Sequence, residues 1–376
     1  MGRAPAGVGP PVAPAACEPA GRRARRPTGH RAGARRHASD ARSLPRRHRR
    51  RSRHCPRRDR RVTRRSDLLD RALEATGPLA WTRAGRTLRR RLGAAADQAP
   101  AVDLTGRRYV VTGSTRGIGL ATATHLARLG GVVTVVGRDP DRTERARRLV
   151  ADATGNDEIT AVAADLTDPA AARRLGDLVG PGAPLSGIVH NAGAVPPRGG
   201  ATPPLGAAVG AHVLTDALQH RLGSGATIVW VSSGMQYLAA SQLGGPYAAT
   251  KRAEVLLARA WARRLAGRGV AVHATHPGLV DTRIAAELLG RLHEPFRPLL
   301  RSPGEAAEDL VWLLTDPDAA RHSGAFWHDR RPRATDRTPG GPARVDDAAE
   351  ALWDDLEIYL EAGGPQENSG SVHQGK

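Results

Sequence analysis

This chain of 376 residues predicts an α/β fold, a doubly wound parallel sheet of about seven strands with helices on both faces. Three observations carry that expectation. Short apolar runs at 108–112, 132–136, 159–164, 187–190, 226–231 and 270–274 alternate with Ala/Leu/Arg segments of helical spacing, such as Leu256, Leu257, Ala260, Trp261 and Leu265. Strands that alternate with helices pair in parallel and are covered on both sides. The first run opens into the glycine-rich turn TGSTRGIG. Polar and glycine punctuation falls at the carboxyl end of each run: Thr112-Gly113, Gly137-Arg138, Asp165-Leu166, Asn191-Ala192-Gly193, Ser232-Ser233 and His276-Pro277-Gly278. Sheets of this kind hold their ligands there.

Residues 1–65 come first. They hold 21 Arg against Glu18, Asp40 and Asp59, a net +18 of the chain's +20. The segment is Pro, Ala, Gly and Arg with almost no large apolar residues, so it cannot bury a core and is expected to be disordered. Its charge suits nucleic acid or an anionic membrane, but it lacks interleaved aromatics, and no specific nucleic-acid partner is expected. It lacks the apolar stretch of a signal peptide and reads as an over-extended start in an Arg-rich, Lys-poor frame. Cys17 and Cys55, the only cysteines, lie in it; disulfides and thiolate metal sites are therefore excluded from the rest, and no metal site is expected.

A helical extension, residues 66–105, follows. Ser66 reads as a cap for Asp67, Leu68, Leu69, Ala72 and Leu73. Next, WTRAGRTLRRRLG reads as a basic amphipathic helix with Trp81, Ala84, Leu88 and Leu92 on one face. Docking of that face on the main domain is the expectation; weak peripheral membrane contact is the alternative. No run approaches the roughly 18 apolar residues of a transmembrane span, and a cytoplasmic location is expected.

The body is residues 106–330. After the strand RYVVT, Gly113 permits a tight turn, Gly117 lets the backbone approach a pyrophosphate, and Gly119 allows a helix to pack closely on the sheet. Ser114, Thr115, Arg116 and Ile118 complete the turn, and the helix start offers free N–H groups to phosphate. Farther on, Tyr247 and Lys251 stand four apart in PYAATK, fourteen residues after the serines of TIVWVSS. That spacing puts a phenol and an ammonium on one helical face, where the cation lowers the phenol's pKa toward a working range. The last part, residues 331–376, is expected to be a linker, an acidic amphipathic helix at 345–360 and a fraying tail.

Together TGSTRGIG, AADLTD, HNAG, VSS, YAATK and HPGLVDT resemble the short-chain dehydrogenase/reductase family, a Rossmann-fold family, over about residues 106–330. SSGM, SPGEAAEDLVWLL and SGAFWHDRRPR are similar to its member-12 subfamily and bacterial relatives. The resemblance implies Tyr247 as general acid/base, Lys251 as the residue that lowers its pKa and bonds the nicotinamide ribose, and Ser233, rather than Ser232, as the holder of the substrate oxygen. It further implies that Asn191, Ala192 and Gly193 line the cofactor, Asp165 and Leu166 flank adenine, and Pro277, Gly278 and Thr282 meet the nicotinamide end. Gly137 stands where an NAD enzyme needs an acid, with Arg138 and Arg116 nearby, so NADP(H) is favoured over NAD(H); Asp139 is the competing feature.

Two departures bear on activity. Ala207 occupies the place of an Asn that anchors a water in the family's proton relay, and His190 replaces the usual first Asn of NNAG. His212 is a candidate stand-in. The connection AVPPRGGATPPLG suits an irregular loop. The segment 283–300 offers Ile284, Leu288, Leu289, Leu292, Phe296 and Leu299 to a substrate. A small apolar alcohol or carbonyl substrate is the expectation, with a homo-oligomer implied by the family alone; a weak or inactive cofactor-sensing protein is the alternative.

Overall fold

The computed structural model describes residues 60–91, 102–179, 182–193, 205–241, 245–336 and 341–362. The arginine-rich residues 1–59, Leu92 and residues 194–204 of the connection lie outside the described residues.

Eight strands form one sheet in the order β3-β2-β1-β4-β5-β6-β7-β8. β1 is Arg108–Thr112, β2 Val132–Gly137, β3 Ile159–Ala163, β4 Leu185–His190, β5 Leu222–Val231, β6 Ala271–Thr275, β7 Phe326–His328 and β8 Arg331–Arg333. All pair in parallel except β7 with β8. The six expected strands are present within a few residues of their expected ends. β7 and β8 extend the sheet across the boundary expected at Arg330. They are too short for an apolar run to reveal.

The helices are α1 Arg60–Ala75, α2 Arg83–Arg91, α3 Gly117–Arg128, α4 Pro140–Thr154, α5 Pro169–Leu178, α6 Gly206–Gln219, α7 Gly245–Leu265, α8 Arg283–Leu289, α9 His293–Phe296, α10 Pro303–Thr315, α11 Pro317–Ala320 and α12 Gly341–Glu361. They cover both faces. On one side Ile188, Ile228 and Trp230 of the sheet pack against Leu175, Leu214 and Leu257; on the other, Val111, Val133 and Val229 meet Leu126, Leu310 and Leu313. Aliphatic strands buried on two faces in this way are the doubly wound arrangement. On the outer side of α7, Val345 and Ala349 of α12 pack on Leu256 and Ala260, and Trp353 meets Trp261 with ring centroids 4.9 Å apart.

The N-terminal extension departs from its sequence pattern. α1 starts at Arg60, so Ser66 lies inside the helix rather than capping it. α2 is docked, but by its arginines: Arg86 and Arg89 are buried while Leu88 is 45% exposed. Charge pairing overrides the apolar stripe here. Arg89 pairs with Asp70 at 2.8 Å, Glu74 at 2.8 Å and Asp329 at 2.5 Å, and Arg86 reaches Glu308 at 2.7 Å. Asp329 and Arg330 form the two-residue turn between β7 and β8 with φ of 51° and 58°, values that normally call for Asn or Gly. Ion pairs hold this turn: Arg301 meets Asp329 at 2.5 Å and Arg330 meets Asp309 at 3.0 Å. Burial alone would raise the Asp329 carboxyl; His328, Arg301 and Arg89 outweigh it and hold the group well below the ordinary carboxylate range.

Candidate functional site

The site is built at the carboxyl ends of β1, β2, β4, β5 and β6. From β1 the chain turns at Gly113, with φ of 62°, and enters α3 at Gly117. A Cβ at Gly113 would stand 2.7 Å from the Ala192 Cα, and one at Gly119 2.5 Å from Asn191 Nδ2. These glycines therefore let α3 and the end of β4 close on each other. Asn191 ties the joint: its Nδ2 donates to the carbonyls of Thr112 and Gly113 at 3.1 Å, and its backbone N–H and that of Ala192 donate to Thr112 Oγ1 at 3.0 Å. Ser114 is buried; its Oγ donates to Val111 O at 2.8 Å and accepts from Val136 N at 2.9 Å, clipping β1 to β2. Arg116 precedes the helix in extended conformation, and Ile118 is half-buried.

Gly137 ends β2. A Cβ there would meet Thr115 Cγ2 at 2.4 Å and Thr143 Oγ1 at 2.5 Å. Arg138 is 77% exposed and 3.9 Å from Asp165, which itself accepts from Thr167 N and Oγ1; Leu166 is buried beside it. Asp139 caps α4, accepting from Arg142 N at 2.9 Å. Burial makes the Arg116 guanidinium less basic, and nearby Arg283 and Arg142 add to this, with Glu287 opposing. Arg116, Arg142 and Arg283 are all exposed.

The second half of the site lies on α7. Tyr247 is half-buried and Lys251 buried, with the Lys251 Nζ 5.7 Å from the Tyr247 ring centroid. Lys251 Nζ donates to Val231 O at 3.0 Å and to Glu254 Oε1 at 2.9 Å. Burial would lower its pKa, but Glu254 and Tyr247 raise it above the ordinary lysine value, so it stays an ammonium. A Cβ on Gly193 would lie 3.4 Å from that Nζ, which places the end of β4 beside the α7 pair. Ser232 is buried and donates to Lys251 O at 2.6 Å. Ser233 begins the short turn Gly234–Leu238 and accepts from Met235 N at 3.2 Å. Gly278, with φ of 89°, seats against Arg301. Thr282 caps α8, and its methyl would be 3.6 Å from a Cβ at Gly117, which brings the loop after Pro277 to the glycine turn.

Three positions singled out in the sequence resolve differently. Ala207, the second residue of α6, carries no side-chain hydrogen-bonding group. His190 is buried, contacts Thr215 Oγ1 at 2.8 Å and is held by burial at a pKa of about 3, hence neutral. His212 does not stand in for the missing Asn: Trp261 Nε1 donates to its Nδ1 at 3.2 Å, and its Nε2 meets Glu357 of α12 at 3.1 Å. Sequence reading missed Glu254, Arg142, Arg283 and Arg301. Glu254 alone left a signal, an acid three residues from Lys251 on the same helix; the others come together only through the fold.

In comparisons with known proteins, residues 113–321 match the family model described as enoyl-(acyl carrier protein) reductase. Dehydrogenase/reductase SDR family member 12 of Bos taurus is 30% identical over 67% of this chain and 86% of its own length. Polyprenol dehydrogenase of Mus musculus is 31% identical over 69% of this chain and 85% of its own. Among solved structures, a short chain dehydrogenase of Shigella flexneri complexed with NADP superposes with a TM-score of 0.52 at 25% identity, covering 61% of this chain and 99% of that one.

Proposed function

The chain belongs to the short-chain dehydrogenase/reductase family of oxidoreductases, and on that premise we propose that it interconverts an apolar alcohol and its carbonyl compound with NADP(H). When bound, the nicotinamide supplies or accepts the hydride. The residues present fit such a group: Gly113, Gly117 and Gly119 leave a cradle free of side chains at the start of α3, where open N–H groups suit a pyrophosphate. Gly193, Pro277, Gly278 and Thr282 would then border the nicotinamide end, and Asp165 and Leu166 would flank the adenine. Arg116, with Arg142 and Arg283 beside it, supports a 2′-phosphate, since clustered guanidinium groups gain by sharing an anion. Asp139 Oδ1 is engaged as a helix cap.

The observation that carries the reading is the pairing of Tyr247 and Lys251 on one face of α7, at 5.7 Å from ring to ammonium. In the reductive direction Tyr247 Oη gives its proton to the oxygen of the carbonyl group as negative charge grows there. The Lys251 cation stabilises the phenolate left behind, which is how a neighbouring charge tunes a general acid. Ser233 Oγ donates to the same oxygen and orients it, while Ser232 is committed to Lys251 O. Residues 284–299 supply the apolar surface: Leu288, Leu292 and Phe296 are exposed. A second reading, a weak or inactive enzyme that binds cofactor, is favoured by Ala207, which cannot hold the relay's water. Tyr247→Phe tests the proposal. Turnover of apolar ketones should vanish while NADP(H) binding stays within about twofold, because one hydroxyl supplies the proton but little packing; a Phe variant that keeps most activity excludes the mechanism.

A further inference from the structure

Trp81 ends the short turn Gly77–Trp81 between α1 and α2, outside the family-matched residues. Its ring lies on Gly234, where an added Cβ would stand 2.5 Å from Trp81 Cη2. It also meets His276 edge-on, with centroids 4.7 Å apart and planes at 81°. Gly234 directly follows Ser233, and His276 directly precedes Pro277. The Trp81 carbonyl accepts from Leu279 N at 2.9 Å. One residue of the extension is therefore wedged between the loops that leave β5 and β6, the two that carry the proposed substrate-holding serine and nicotinamide contacts.

Gly234 is not among the glycines with positive φ, so the backbone does not require glycine there. The indole does. A side chain at 234 would take the space that Trp81 fills, so the extension has replaced, from outside, what would be a local wall beside Ser233. Its seat is rigid. Fully buried Arg89 donates to the carbonyl of neighbouring Ala80 at 2.8 Å while pairing with Asp70, Glu74 and Asp329, and Trp81 as a residue is half-buried. A wide, rigid aromatic face that is still partly open, next to a reacting group, is suited to contact a flat or extended apolar ligand.

We propose that Trp81 forms one wall of the substrate pocket and is a specificity-determining residue for apolar carbonyl compounds; this rests on the oxidoreductase reading above. The test uses the full chain with two probes, β-tetralone and methyl octyl ketone, and two readouts: calorimetric binding to the NADP⁺ complex and NADPH-dependent reduction. In Trp81→Ala, binding of both ketones should weaken and KM rise by about tenfold or more, as for loss of one aromatic contact. The Kd for NADP⁺ should stay within about twofold, and Trp81→Phe should restore most of the ketone affinity. If Trp81→Ala, shown folded by its NADP⁺ binding, keeps wild-type ketone affinity and KM, the wall is overturned while the enzyme reading stands. Should Trp81→Ala lose NADP⁺ binding too, Gly234→Val decides: that side chain displaces the indole while every residue of the extension keeps its identity, and unchanged ketone affinity overturns the wall. Wild type that binds the ketones without reducing them, with binding still lost in Trp81→Ala, supports the wall and sinks the enzyme reading. Wild type that neither binds nor reduces them overturns both.

Discussion

Lys251 and Glu254, one turn apart on α7, form a buried ion pair at 2.9 Å. The other oxygen, Glu254 Oε2, has no hydrogen-bond partner among the described residues. The carboxylate is the largest influence holding the Lys251 pKa up against burial, so it keeps Lys251 charged, as the role proposed for Tyr247 requires. In Glu254→Gln that pKa falls, Lys251 loses its proton at lower pH, and the alkaline limb of kcat/KM moves to lower pH. A kcat loss of about tenfold or more with little change in KM is expected, the scale of weakened acid/base catalysis. A variant that is only less stable, with an unmoved pH profile, rejects Glu254 as a positioning residue.

Arg116 is exposed at the glycine turn with the Arg142 and Arg283 charges near it, whereas Arg138 is 77% exposed and 3.9 Å from the Asp165 carboxylate. Arg116→Ala should therefore weaken NADP(H) by about tenfold and Arg138→Ala by less, since the Asp165 charge offsets that of Arg138. Titration of both cofactors decides it. Equal affinity for NAD(H) and NADP(H) in the wild type would refute the preference.

Acid should unfold the protein early. Burial holds His190 at about 3 and His273 at about 4, the latter with help from His322. In the unfolded chain each binds a proton near pH 6.5. A depressed folded value means stability that is complete above about pH 6.5 and lost as pH falls, by about 1.4 kcal/mol per unit for each histidine until its folded value is reached. Denaturation midpoints measured from neutral pH downward should drop steeply, and His273→Gln should flatten the drop.

Asp329 is the shared partner of Arg89 and Arg301. Removing it takes the carboxylate from buried Arg301 and one of three from Arg89, which keeps Asp70 and Glu74. Asp329→Ala should cost about 3 to 5 kcal/mol, the usual result of breaking a buried pair from one side, and should make the segment around Trp81 sensitive to protease. An unchanged denaturation midpoint would show that the extension is held by something else.

The sheet and the glycine turn were legible because their signals are local: aliphatic runs of strand length, and Gly113, Gly117 and Gly119 at positions where the structure tolerates no Cβ or needs left-handed backbone. Tyr247 and Lys251 were legible for the same reason, being four apart on one helix. What was misread depends on distant partners. The stripe of Trp81, Ala84, Leu88 and Leu92 argued for an apolar seat for α2, but the acids that bury Arg89 come from residues 70, 74 and 329, and no periodicity reports a partner 240 positions away. The short hairpin of β7 and β8 was invisible for a related reason. Its turn residues Asp329 and Arg330 carry no glycine signal, because ion pairs supply what glycine usually provides.

The tight seat of Gly137 makes an acid hard to introduce at the end of β2. An acid that reads a ribose hydroxyl would have to grow from a Cβ already 2.4 Å from Thr115 and 2.5 Å from Thr143. Gly137→Asp alone would press on the side chains of Thr115 in the glycine turn and Thr143 on α4. A designer seeking to place an acid there must carve space at Thr115 and Thr143 in the same step. Any lineage moving one substitution at a time meets a barrier in packing before it meets one in chemistry.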